Sequence, residues 1–288
     1  MNRRAWLKLI GAAGIASVAD NPSARAAENE AESEDTCGIL MDLTACIGCR
    51  ACEGACAAAH DRPLPEDLET RLPELPERQT SATQWTVMNL YETSGGPVPI
   101  KRQCMHCNTP ACAAACLTKA LVKTKEGPVI WRADKCMGCR YCMLSCPFDM
   151  PKFEYDSPNP RIQKCRMCWE RLQAKQVPAC VENCGGDALA FGKRRDLLDL
   201  AHKRIAENPK KYVHHIYGER EAGGTGFMYL SPVPFAEVGL PTNLGEKAFP
   251  EYTRNFLASV PIILTLWPAF LVGVHWATER PQNENHQS

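Results

Sequence analysis

Sixteen of the seventeen cysteines in this 288-residue chain fall into four short groups. The first, Cys46, Cys49, Cys52 and Cys56, has two-, two- and three-residue gaps. The second, Cys104, Cys107, Cys112 and Cys116, widens the middle gap to four residues. The third, Cys136, Cys139, Cys142 and Cys146, repeats the spacing of the first and is followed by Pro147. In the fourth, eleven residues separate Cys168 from Cys180, between Cys165 and Cys184.

These spacings suit a cubic iron–sulfur core. Three cysteines on one short loop can turn their thiolates onto three irons, while the fourth, three residues on and opening a helix, points towards a neighbouring cluster. A chain wrapping closely around such a core needs residues free of Cβ constraints, which Gly48 and Gly138 supply. The competing uses of cysteine fit less well. A zinc site takes two separated C-x2-C pairs, which leaves the third cysteine of each run surplus. Disulfides in series at two-residue spacing have poor geometry. A thioredoxin-like redox pair occurs once, not four times.

The array is also an internal repeat. Cys46-Ile47-Gly48-Cys49-Arg50 returns as Cys136-Met137-Gly138-Cys139-Arg140. Pro110-Ala111-Cys112 returns as Pro178-Ala179-Cys180, and Ala120-Leu121 and Ala188-Leu189 stand at one offset beyond the closing cysteines. Such self-similarity implies a duplicated unit. Strands are expected at Gly38–Met41 and Pro128–Trp131, ahead of groups one and three, and Cys37 reads as a structural cysteine outside the array.

Both ends read as targeting segments. Arg3-Arg4 precede an apolar run from Leu9 to Ala19 and a small-residue cleavage pattern at Ala24-Arg25-Ala26. Residues 1–26 are therefore expected to be a signal peptide that resembles the twin-arginine type, with Trp6 where phenylalanine is usual. Phe256 to Ala277 holds 22 residues without Asp, Glu, Lys or Arg. At ~1.5 Å per residue a helix of that length spans about 30 Å, the thickness of the hydrocarbon layer. Pro261 and Pro268 would kink it, which membrane helices tolerate. A transmembrane helix over 256–277 and a cytoplasmic tail over 278–288 are expected.

Basic and acidic side chains number 33 each, and the leader takes Arg3, Arg4, Lys8 and Arg25 against Asp20 alone. The remainder is mildly acidic, without the concentrated basic patch of a nucleic-acid binder. Between His60 and Ile100 a proline-bearing charged segment, ending in a strand from Trp85 to Tyr91, reads as an insertion (60–100) covering the second group. Asp196–Glu207 reads as an amphipathic helix presenting Leu197, Leu198, Ala201 and Ile205. Lys101, Arg102, Lys135, Arg140, Lys164 and Arg166 crowd the cysteine groups, where cations would raise cluster potentials unless they are merely solvated. His106, inside group two, is expected to lie near a cluster without ligating it, and the pair His214-His215 should diverge on a strand.

With these motifs laid out, the chain resembles the four-cluster iron–sulfur (beta) subunits of membrane-bound respiratory oxidoreductases: those of formate dehydrogenase and dimethyl sulfoxide reductase types, and the HybA-type subunit of periplasm-facing nickel–iron hydrogenases. Lys101–Cys107 and Cys136–Phe148 carry the likeness best. Tyr217-Gly218-Glu219, Gly223-Gly224-Thr225 and Val233-Pro234-Phe235 look most like the hydrogenase branch, and Ser81–Met88 like the formate dehydrogenase branch.

The resemblance implies an α+β fold of two interlocked dicluster ferredoxin-like halves related by a pseudo-twofold, over 27–192, with a peripheral extension at 193–255. Spacing alone would allow groups one and two, or three and four, to form separate ferredoxins. The resemblance implies nesting instead. One 4Fe-4S cluster then falls to Cys46, Cys49, Cys52 and Cys184, and a second to Cys165, Cys168, Cys180 and Cys56. A third falls to Cys104, Cys107, Cys112 and Cys146, and the fourth to Cys136, Cys139, Cys142 and Cys116. Three departures from the family pattern stand out: Leu117 and Gly185 replace prolines, and Gly185-Gly186-Asp187 replaces a Pro-Thr-Gly-like turn. No ligand position carries Trp or Asp, so no three-iron cluster is expected.

The implied role is non-catalytic electron transfer at the periplasmic face of the inner membrane. The implied partners are a catalytic subunit of nickel–iron hydrogenase or molybdopterin type, hydrogenase favoured, and an integral membrane subunit that binds quinone or haem. A zinc- or disulfide-stabilised protein without redox function is the alternative from another class.

Overall fold

A computed structural model describes residues 36–70, 72 and 75–278. The expected signal peptide and the tail beyond Thr278 lie outside the described residues.

The run Cys37–Asp42 (β1) is apolar on both faces because both faces are covered. It is the central strand of a three-stranded sheet, antiparallel to Leu189–Lys193 (β8) and parallel to Phe227–Leu230 (β9). Ile39 and Met41 enter the main core with Phe227, Tyr229, Met88 and Ile100. Leu40, between them, packs with Leu197, Ala201, Met228 and Leu230 on the other face. That alternation is the period-2 geometry of a strand. The covering helix, Arg194–Glu207 (α6), buries Leu197 and Ala201, as its pattern predicts.

Short elements carry the cysteines. Ala51–Ala59 (α1) follows the first two cysteines of group one, and Ala111–Ala114 (α2) belongs to group two. Tyr141–Leu144 (α3) belongs to group three, while Trp169–Gln173 (α4) and Ala179–Glu182 (α5) belong to group four. Leu121–Lys123 (β4) pairs antiparallel with Val129–Trp131 (β5), and Lys152–Phe153 (β6) pairs with Ile162–Gln163 (β7). The strand leading into group one therefore pairs with the strand leaving group four. Likewise, the strand leading into group three pairs with the strand leaving group two. Helices follow suit, α1 packing on α5 and α2 on α3.

Val87–Thr93 (β2) and Gly96–Arg102 (β3) form a hairpin closed by Ser94-Gly95. Pro97 and Pro99 are tolerated because a two-stranded ribbon leaves each strand one unpaired edge. The strand begins two residues later than the expected Trp85 start, because Trp85 is spent on packing. Its ring lies 4.8 Å from that of His60, with the Arg62 guanidinium 4.6 Å away.

Two expectations change. The segment after His60 packs on the first cysteine group, not the second. Arg50 donates to Glu53 at 2.8 Å and to Asp67 at 2.8 Å, and Arg78 donates to Glu53 at 2.5 Å. Buried Glu53 also accepts the Met88 amide, so it draws in partners from the inserted segment. The stretch expected to be peripheral supplies β9 and the buried rings of Tyr217, Phe227 and Tyr229. Tyr229 OH donates to the Lys101 carbonyl at 2.8 Å, tying that stretch to the hairpin.

Phe249–Thr278 (α7) is one 30-residue helix. The most apolar 18 residues within Phe249–Trp276 have a mean hydropathy of 2.1 and are not buried against the rest of the chain. Its hydroxyls bond their own backbone: Ser259 donates to the Phe256 carbonyl at 2.7 Å and Thr265 to that of Pro261 at 2.9 Å. By length and composition it is a candidate membrane span, beginning seven residues before the expected start at Phe256.

Candidate metal centres

The first two cysteines of groups one and three stand on loops that turn at glycine. Gly48 and Gly138 have φ of 70° and 74°, conformations that glycine adopts without penalty. The next non-glycine residue that turns the same way is an arginine in each loop, with φ 61° at Arg50 and 59° at Arg140. Each caps the N-terminus of the helix that carries the third cysteine of its group, Cys52 on α1 and Cys142 on α3.

Two cavities are walled by sulfur. One is lined by Cys46, Cys49, Cys52 and Cys184, closed by Met41, Met88 and Leu189. The other is lined by Cys56, Cys165, Cys168 and Cys180 beneath Ile39 and Phe227. Lys101 borders both.

For four of the sulfurs the neighbouring thiols are those of one set. Burial pushes the Cys46 thiol up to about 11, with Cys184 and Cys49 adding to the rise. Cys56 is pushed well up by burial and then by Cys165, Cys180 and Cys168. Burial raises Cys107 likewise, helped by Cys104, Cys146 and Cys112. Cys142 is pushed up to about 11 by burial, then by Cys116, Cys136 and Cys139. Links between sets run from Cys52 to Cys180 and from Cys165 to Cys104, each ahead of the same-set sulfur, and more weakly from Cys112 to Cys142, joining the four sets in a row.

Several sulfurs accept hydrogen bonds. The Ala120 amide lies 3.2 Å from Cys116 Sγ, that of Ala179 3.4 Å from Cys168 Sγ, and that of Met167 3.4 Å from Cys165 Sγ. Cys116 moves below its ordinary value: burial opposes this, but the Leu121, Thr118 and Ala120 groups around the sulfur outweigh it.

This donor set fits iron–sulfur cubes. Clustered buried thiols hold their protons until cations offset the charge of their thiolates, and irons supply that charge. Among the described residues no three His, Cys, Asp or Glu side chains converge on one point as a single ion requires. Sulfurs bound to different irons of a cube stand apart in that way. None of the sixteen array cysteines forms a disulfide.

The flanking cations divide. Lys101 and Lys164 are buried, and Lys164 Nζ lies 3.6 Å from Cys104 Sγ. Arg102 instead donates to the Gly239 carbonyl at 2.6 Å, Arg166 pairs with Glu170, and Lys135 is exposed. His106 accepts the Val129 amide at Nδ1 and leaves Nε2 buried without a protein partner, bordering the second cavity. His214 and His215 diverge, to the Pro209 carbonyl and to Glu221. His60 was missed by sequence reasoning. Its Nε2 lies 3.4 Å from Cys168 Sγ, and its one sequence signal is its place just past the helix bearing Cys56.

The 4Fe-4S dicluster domain family matches residues 99–194. A protein of Nitratidesulfovibrio vulgaris is 45% identical over 98% of this chain and 78% of its own length. Hydrogenase-2 operon protein HybA of Escherichia coli O157:H7 is 34% identical, covering 84% of each chain. The nitrate-inducible formate dehydrogenase iron–sulfur subunit of Escherichia coli K12 is also 34% identical, covering 66% of each.

Proposed function

The chain belongs to the family of iron–sulfur subunits that includes HybA and the formate dehydrogenase iron–sulfur subunits, and from that membership we propose that it carries four 4Fe-4S clusters as an electron wire. It is an electron-transfer subunit of a respiratory oxidoreductase. Each cluster takes three cysteines from one group and one from another. The sets are Cys46, Cys49, Cys52 and Cys184; Cys165, Cys168, Cys180 and Cys56; Cys104, Cys107, Cys112 and Cys146; and Cys136, Cys139, Cys142 and Cys116.

The observation that carries this reading is the pair of cavities, each lined by three cysteines of one group and one of the opposite group. A pairing of group one with group two would need Cys56 beside Cys104, Cys107 and Cys112, yet Cys56 lines the cavity of group four. The crossed strand pairs β1·β8 and β5·β4 give the same exchange twice, as expected of two interlocked halves about a pseudo-twofold. The links among sulfurs support an order with the Cys46 set at one end and the Cys136 set at the other. When bound, the cubes take up and release single electrons, and the chain's part is to hold them in line, bury them and set their potentials. Catalysis then rests with the partner.

In this reading the chain is exported folded by the twin-arginine route, and α7 anchors it at the periplasmic face of the inner membrane. Electrons pass between a catalytic subunit and a membrane subunit reactive with quinone, in either direction. A hydrogenase-type catalytic partner is favoured, because the likeness to HybA extends over 84% of the chain. That includes the β9 segment, which completes the sheet. The alternative is the same role beside a molybdopterin enzyme. Anaerobic purification of the complex decides between them. Co-purifying nickel and reduction of the clusters by hydrogen support the first. Co-purifying molybdenum or tungsten with reduction by formate overturns it in favour of the second.

A further inference from the structure

Lys101 stands in the wall shared by the two sulfur-lined cavities. Its side chain is buried, with 1% of the residue exposed. The hairpin register sets it opposite Met88, so a lysine enters the core where an apolar residue would be the ordinary choice. Its Nζ donates to Gln103 Oε1 at 2.8 Å and lies 5.3 Å from the centre of the Phe227 ring. Gln103 Nε2 is itself held by Tyr229 OH at 3.3 Å. Among the described residues no carboxylate pairs with this ammonium, and neither cavity lining contains one.

Arg50 also borders the first cavity, but Glu53 and Asp67 offset its charge. The Lys101 charge is left to the sulfurs. Burial alone would strip its proton, but Cys180, Cys165 and Cys56 of the second cavity and Cys52 of the first outweigh burial and hold the amine protonated.

We propose that Lys101 is a shared positioning charge that raises the reduction potentials of the first two clusters together, the one on Cys46, Cys49, Cys52 and Cys184 and the one on Cys165, Cys168, Cys180 and Cys56. The proposal rests on the four-cluster reading. A cluster that gains an electron becomes more negative, so a fixed buried cation stabilises its reduced form more than its oxidised form. One ammonium between two cubes acts on both at once. The cluster on Cys104, Cys107, Cys112 and Cys146 has its own buried cation in Lys164, and no cysteine of the Cys136 set lines either cavity.

The test is an EPR-monitored redox titration of the full-length holoprotein. Lys101→Met is expected to lower two of the four midpoint potentials. The reduced-to-oxidised ratio of those clusters at a fixed potential should fall at least tenfold, a shift of about 59 mV for one electron. The other two clusters should stay in place. Lys101→Arg, which keeps the charge, is expected to stay near the parent. Should Lys101→Met fail to assemble, Gln103→Glu decides the matter. It places a carboxylate on the ammonium at almost unchanged shape and should lower the same two potentials. Potentials that do not move in an assembled variant overturn the proposal while leaving the four-cluster reading intact. A parent protein with fewer than four clusters instead fails that reading.

Discussion

Arg50 and Arg140 hold the same left-handed turn, with φ 61° and 59°, ahead of helices that carry equivalent cysteines, and they use their side chains in opposite ways. The Arg50 guanidinium is buried on Glu53. That of Arg140 is exposed and lies 5.4 Å from the Phe153 ring. One backbone solution has been kept in both repeats, while its surroundings have diverged. Glu53 has Met143 as its counterpart, and the inserted segment that supplies Asp67 and Arg78 occurs in the first repeat alone.

The two arginines should therefore differ in what they contribute to stability. Arg50→Met leaves Glu53 buried with half its partners and is expected to cost about 3–5 kcal/mol, the usual penalty for breaking a buried ion pair. Arg140→Met loses an exposed cation–π contact and is expected to cost about 1 kcal/mol or less. Denaturation followed through the visible absorption of the holoprotein measures both.

Paired cysteine substitutions separate nested from sequential ligation. Cys46→Ala combined with Cys184→Ala is expected to remove one cluster, a loss of about four irons, because both cysteines belong to one set. Cys46→Ala combined with Cys56→Ala should remove two clusters. Iron analysis of anaerobically purified variants gives the count, and pairing of group one with group two would remove two clusters from both double variants.

Local signals were legible because they depend on neighbours in sequence. The strands before groups one and three, the face of α6 and the positive φ of Gly48 and Gly138 all follow from short-range pattern. Which strands pair was not legible. Phe227–Leu230 reads as an unremarkable apolar run, and nothing near it says that it will lie parallel to β1. The direction of the inserted segment was missed for a related reason. Glu53 sits in a cysteine-rich helix, and its burial, which recruits Asp67 and Arg78, appears only once the chain has folded back. His60 likewise gains meaning from Cys168, 108 residues away.

The C-terminal helix is expected to decide where the protein goes. Truncation after Ala248 removes α7 and should release the chain from membranes while its clusters remain, since the helix is not packed into the core. Fractionation after alkaline carbonate treatment tests this. A truncated chain that still sediments with membranes would place the anchor elsewhere, and one that loses its colour would make the helix part of the folding unit.

The most direct test of the central claim is the iron and acid-labile sulfide content of the full-length protein, purified without oxygen. Four cubes on sixteen cysteines predict about sixteen irons and about sixteen sulfides per chain. Zinc without sulfide, or a content near eight irons, would contradict it.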